Sequence, residues 1–208
     1  MEGRLGIVSG AVLTGGASQR MGSDKAHLDF GGVACATRVA RVLRGICSEV
    51  LLVGGRPPED APGRRVVDLE GPVCALKGLI AALRAARAER VLVVATDLPL
   101  VTTDLLLALV AWPEADAIVP RSREGPHPMC ALYRREAVLA VAQEQLRAGR
   151  LKLQAVLDAV DTAWFGPEEL ARVDPGGLAL SNLNTPEDLA RAKASLPVPE
   201  ASLRGVDG

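Results

Sequence analysis

Neither sign of charge dominates this sequence: 24 basic and 25 acidic residues leave a formal net charge of −1. That balance excludes a global pull toward nucleic acid or anionic membrane, so a polyanionic ligand has to be held by a local site. Long apolar runs are missing as well. None approaches the roughly 18 residues of a membrane span, and the N-terminal MEGRLGIVSG carries no signal-peptide apolar region, so the expectation is a cytoplasmic protein. Histidine occurs only twice, which argues against a histidine-built metal centre. The four cysteines, Cys35, Cys47, Cys74 and Cys130, form no CxxC pair and no Cys/His cluster at zinc spacing. They read as reduced, mostly buried small hydrophobes. Internal repeats and interdomain linkers are absent too. The 208 residues suit one domain, expected over 1–196, with 197–208 a flexible tail lacking apolar periodicity.

What is present is an alternation of short apolar runs with helix-like stretches. The runs at 7–13, 49–54, 65–68, 90–96 and 115–120 include VLLVG and RVLVVAT, which are apolar without alternation, as in parallel strands covered on both faces. Helical spacing fills 34–43, 73–88 and 103–111. The resulting βαβαβ order predicts an α/β fold, a Rossmann-like, doubly wound, mostly parallel sheet with helices on both faces. Further on, the pattern predicts a strand at 129–134, a helix at 136–148, a short segment at 151–157 and a strand at 162–165. In NTPED a last helix starts, with Asn184 or Thr185 as N-cap, Pro186 at the first helical position and acids in the first turn.

The most informative string is LTGGASQRMGSDK, residues 13–25. Without Cβ atoms, Gly15 and Gly16 allow backbone N–H groups to approach an anion, while Arg20 and Lys25 add positive charge, a combination suited to a nucleoside triphosphate. The Walker pattern is excluded because Lys25 lies three residues past Gly22 and is followed by Ala26, and GxGxxG is absent. Asp97 follows a fully apolar run and precedes Leu98-Pro99, which places it at the carboxyl end of a strand, where open α/β sheets bind ligands. One carboxylate there suits Mg²⁺, which takes its remaining ligands from phosphate and water; the other reading is a turn aspartate before proline.

LTGGASQRMGSDKAHLDFGG resembles the signature of the molybdenum cofactor guanylyltransferases, MobA-like members of the nucleotide-sugar-type nucleotidyltransferase superfamily. Asp68 with Gly71-Pro72-Val73, Thr96-Asp97-Leu98-Pro99, His127-Pro128 with Ala131-Leu132-Tyr133, and Ser181 to Asp188 resemble four further landmarks of that family in the same order. Gly15-Gly16 and Arg20-Met21-Gly22 favour the guanylyl over the cytidylyl branch. One departure is Ala75, where the family carries glycine.

The resemblance implies a nucleotide-diphospho-sugar transferase type of fold and GMP transfer from Mg²⁺·GTP to molybdenum-bound molybdopterin. It further implies GTP contacts from Leu13, Thr14, Gly15, Gly16, Lys25, Asp68 and Asp97, catalytic roles for Arg20, Lys25 and Asp97, and Mg²⁺ held by Asp97. Main-chain atoms around Leu13, Thr14 and Gly15 are suited to the donor and acceptor pattern of guanine. Asp68 has the alternative of a turn carboxylate. The His127 loop faces the pterin by resemblance, or fills a packing role. The amides of Asn182 and Asn184 fall on one side of an extended segment and suit a pterin or nucleotide edge, although Asn184 also suits capping. Arg150 and Lys152 either hold the second substrate's phosphate or are solvated charge. Cofactor biosynthesis proteins and apo-molybdoenzymes are the implied partners, with no nucleic acid and no membrane. A cytidylyl or sugar-phosphate nucleotidyltransferase is the neighbouring alternative, and a noncatalytic GTP or molybdopterin carrier the alternative of another class.

Overall fold

The structure, a computed structural model, describes residues 7–15, 25–71, 74–183 and 185–194. Strand β1 is Val8–Leu13, followed by helix α1 at Cys35–Arg44, β2 at Glu49–Val53, β3 at Arg64–Val66, α2 at Ala75–Ala85 and β4 at Arg90–Ala95. Next come α3 at Thr103–Ala111, β5 at Ala117–Ser122, β6 at Gly125–Pro126, β7 at Cys130–Arg134 and α4 at Arg135–Arg147. The chain closes with α5 at Leu153–Leu157, β8 at Thr162–Phe165, α6 at Pro167–Val173 and α7 at Pro186–Ala194.

The sheet runs β3-β2-β1-β4-β7-β5-β6, with β8 paired to β5. Strands β1 to β4 are mutually parallel. β7 is antiparallel to both β4 and β5, so β5 points the same way as β4, and β8 is parallel to β5. This is the mostly parallel sheet expected. β2 passes to β3 without a helix, through a loop pinned by an Ala61 N–H to Pro58 carbonyl bond of 3.3 Å.

Unbroken apolar strands serve two cores because their side chains alternate between faces. Val12, Leu52, Leu92, Val94 and Ile118 join one core, capped by α1, α3 and α6 through Leu43, Leu105 and Leu170. Ala11, Leu51, Val91, Val93 and Val119 join the other, under α2, α4 and α5 through Leu79, Val138 and Val156. Gly10 lets α1 approach: a Cβ there would lie 3.1 Å from both Leu43 Cβ and Cys47 Sγ. A third cluster joins distant parts of the chain, with Phe30, Cys35, Leu183 and Ala192 all buried together. The four cysteines are free, Cys35 and Cys130 buried and Cys47 and Cys74 half-buried. Among the described residues no helix is long and apolar enough to cross a membrane.

Candidate active site

Register decides what meets at the carboxyl edge of the sheet. Leu13 pairs with both Val53 of β2 and Ala95 of β4, and Val53 pairs with Val66 of β3. The residues that follow, Thr14-Gly15, Gly54-Gly55, Asp68 and Thr96-Asp97, therefore leave the sheet side by side. Open α/β sheets bind ligands at this edge.

On the β1 side, two glycines do the fitting. Gly54 and Gly55 have φ of 73° and 54°, a left-handed backbone that side-chain-bearing residues seldom adopt. A Cβ on Gly55 would lie 2.5 Å from the Thr14 carbonyl oxygen. The Thr14 hydroxyl donates to the carbonyls of Val53 at 3.0 Å and Gly54 at 2.5 Å, locking the two turns together. The N–H groups of Thr14 and Gly15 both donate to the Val53 carbonyl, at 2.9 and 3.2 Å. At Gly15, then, the N–H is engaged within the protein, and the site gains instead from the missing side chain. A Cβ there would lie 3.4 Å from Asp68 Oδ2. Leu13 is buried, with its side chain in the core, so its main chain is the part at the edge.

Asp68 lies two residues beyond the end of β3, not in it. Its other carboxylate oxygen accepts the Leu69 N–H at 2.8 Å, which aims the carboxylate toward Gly15 and Gly54. Next to it, Lys77 donates to the Glu70 carbonyl at 2.7 Å and steadies the turn at Gly71. Neither Lys77 nor the Gly54-Gly55 pair was singled out from the sequence. Ala75 opens α2 as an exposed residue, and no described residue other than glycine has positive φ, so alanine fits there without backbone strain.

Asp97 is half-buried just past β4, and its carbonyl accepts the Leu183 N–H at 2.9 Å. That bond draws Ser181 to Leu183 onto the edge and places exposed Asn182 beside Asp97. Thr185 and Asp188 form a reciprocal capping box, with Asp188 N–H to Thr185 Oγ1 at 3.1 Å and Thr185 N–H to Asp188 Oδ2 at 3.0 Å. Thr185 is therefore an N-cap of α7. Gly16, Arg20 and Asn184, and the side chain of Lys25, lie outside the described residues. Burial, reinforced by the carboxylates of Asp29 and Asp97 against nearby Arg38, pushes the Cys35 thiol up to about 11, which favours the protonated thiol at pH 7.

Residues 10–163 match the model of the MobA-like NTP transferase domain. The chain belongs to the MobA-like NTP transferase family. Among similar proteins, a probable molybdenum cofactor guanylyltransferase of Chloroflexus aggregans is 37% identical over 199 residues, 91% of this chain and 95% of that one. The molybdenum cofactor guanylyltransferase of Desulfosudis oleivorans is 29% identical, covering 92% of this chain and 97% of its own. The crystal structure of molybdopterin-guanine dinucleotide biosynthesis protein A from Archaeoglobus fulgidus superposes with a TM-score of 0.75 at 25% identity, over 89% of this chain and 97% of that chain. The 2-C-methyl-D-erythritol 4-phosphate cytidylyltransferase of Thermus thermophilus shares the fold at a TM-score of 0.65 and 19% identity, over 88% of this chain and 96% of its own.

The other half of this MobA-like domain builds a second wall. The His127 N–H donates to the Pro120 carbonyl at 2.8 Å and the Cys130 N–H to the His127 carbonyl at 3.0 Å. The buried Tyr133 hydroxyl donates to the Pro128 carbonyl at 2.6 Å, so the tyrosine of HPMCALY holds the loop. His127 Nε2 lies 2.8 Å from Ser122 Oγ. Burial holds the imidazole below its usual pKa despite nearby Glu124, which keeps it neutral at pH 7. Arg150 and Lys152 follow the carboxyl end of α4. Arg150 Nε donates to Gln145 Oε1 at 2.5 Å, Lys152 is exposed, and no hydrogen bond or ion pair among the described residues links either to Asp68 or Asp97.

Proposed function

We propose that this chain transfers the guanylyl group of GTP to the terminal phosphate of molybdenum-bound molybdopterin. An oxygen of that phosphate attacks the α-phosphorus, the bond to the bridging oxygen breaks, and pyrophosphate leaves. The observation that carries the reading is the Leu183 to Asp97 main-chain bond, which sets Ser181 to Leu183 beside the Asp97 strand end, at the edge it shares with Gly15 and Asp68. The names borne by full-length relatives support guanine and molybdopterin as substrates.

The acceptor phosphate is already an anion, so catalysis requires alignment and charge neutralisation more than a general base. The single carboxylate of Asp97 at the strand end suits Mg²⁺, which needs only one or two carboxylates beside phosphate oxygens. When bound, the ion offsets charge on the attacked and leaving oxygens. Asp97 would hold it, Asp68 would orient the nucleotide beside Gly15, and Lys25 and Arg20 would stabilise the departing pyrophosphate. The reaction belongs in the cytoplasm, with cofactor biosynthesis proteins and apo-molybdoenzymes on either side of it.

Pyrophosphate release is to be measured with GTP, CTP and ATP on loaded molybdopterin. GTP is the expected donor, and Asp97→Asn abolishes turnover while circular dichroism shows an intact fold. A preference for CTP overturns the guanylyl assignment, and near-normal activity of the variant overturns the metal role.

A further inference from the structure

A cleft lies at the same carboxyl edge, on the other side of β4 from Gly15. Because β5 is parallel to β4, Ser122 at its carboxyl end emerges at the same edge as Asp97. The Ala95 N–H to Met129 carbonyl bond of 2.8 Å sets the loop before β7 level with the start of the Asp97 turn. Ser122, Arg123, Glu124 and His127 form one side of the cleft and Leu180 and Ser181 the other, around about 240 Å³. Ser181 adjoins the segment bonded to Asp97. Past Ser122 and Arg123 the space continues as a groove of about 490 Å³ along Leu170 and Asp174. The groove, into which the cleft opens, falls in the range of small-molecule sites, about 300–1,000 Å³.

The polar groups of this cleft are arranged and incompletely used. Ser122 Oγ accepts the Glu124 N–H at 3.2 Å and contacts His127 Nε2 at 2.8 Å, which fixes the tight turn between β5 and β6. Among the described residues the Glu124 carboxylate and the Arg123 guanidinium make no hydrogen bond or ion pair, although both line the cleft. A carboxylate presents two acceptors side by side. Its complement is a pair of parallel N–H donors, such as the N3–H and 2-amino group of a 2-amino-4-oxopyrimidine ring.

Guanine and pterin both carry that edge. We propose that the Glu124 carboxylate reads it on the pterin of the acceptor, seated between His127 and Ser181. The guanine of GTP is excluded from this role because Gly15, Gly54 and Asp68 gather on the far side of β4. This rests on the function proposed above and adds a specificity-determining residue to it.

The test compares the wild-type chain with Glu124→Gln, whose amide turns a donor toward the ring, at an exposed turn position that tolerates the change. Steady-state assays give KM for molybdopterin and for GTP separately, and free 6-hydroxymethylpterin is titrated by its fluorescence. The expected result is a rise in KM for molybdopterin, and a weaker pterin affinity, of roughly ten-fold or more, the loss of a charge-assisted hydrogen bond. KM for GTP does not move. Unchanged pterin affinity, or an effect on GTP, overturns the proposal. A wild-type chain that transfers nothing to molybdopterin yet binds the pterin in a Glu124-dependent way refutes the transfer reaction and supports the pterin seat.

Discussion

At the scale of single residues, the nucleotide edge depends on atoms that are absent. Gly55 combines a left-handed backbone with a Cβ position 2.5 Å from the Thr14 carbonyl oxygen. Gly55→Ala is expected to cost about 1–2 kcal/mol in backbone strain alone, seen as a lower urea midpoint. GTP affinity falls with it in calorimetry, because Thr14 and Gly15 must move. Asp97 was legible because an unbroken apolar run followed by Asp-Leu-Pro announces a strand end. Gly54 and Gly55 were not, since their conformation matters only once β1 and β2 lie side by side.

Among elements, the opposite edge of the sheet is clipped by Glu49 at the head of β2. The Ser9 hydroxyl donates to it at 2.8 Å, the Arg87 N–H at 2.7 Å, and Arg64 lies 3.5 Å away. Burial acts to raise the Glu49 pKa, but the Arg87 N–H, the Ser9 hydroxyl and Arg64 together hold it below the ordinary value. A depressed carboxyl pKa contributes stability above the unfolded value, about 4.3, and loses it as pH falls through the folded one. Urea unfolding at pH 7 and below pH 4 is therefore expected to show a shallower acid loss in Glu49→Gln than in the wild type; equal slopes refute the clip. Helices α3 and α4 could be placed from periodicity, because each buries an apolar stripe. Helix α6 and the two-residue β6 escaped notice, being too short to show a period.

For the whole molecule, the end of the chain returns to complete a site begun at its start. Leu183, fully buried with Phe30, Cys35 and Ala192, seals that junction while its N–H holds the Asp97 carbonyl. Leu183→Ala is expected to destabilise by about 2–5 kcal/mol, measured by thermal or urea unfolding, and to weaken Mg²⁺-dependent GTP turnover beyond what the stability loss explains. A loss of stability without that second effect would make the junction purely structural.

Local chemistry, readable along the chain, determined which residues can bind phosphate, where apolar strands end and how α7 is capped. Only the tertiary structure decided that β7 runs against its neighbours and that Glu124 and His127 share a cleft level with Asp97. Those are consequences of strand order and register, set by pairing between residues far apart in sequence, and no local pattern encodes which distant strand a run of valines and leucines will meet.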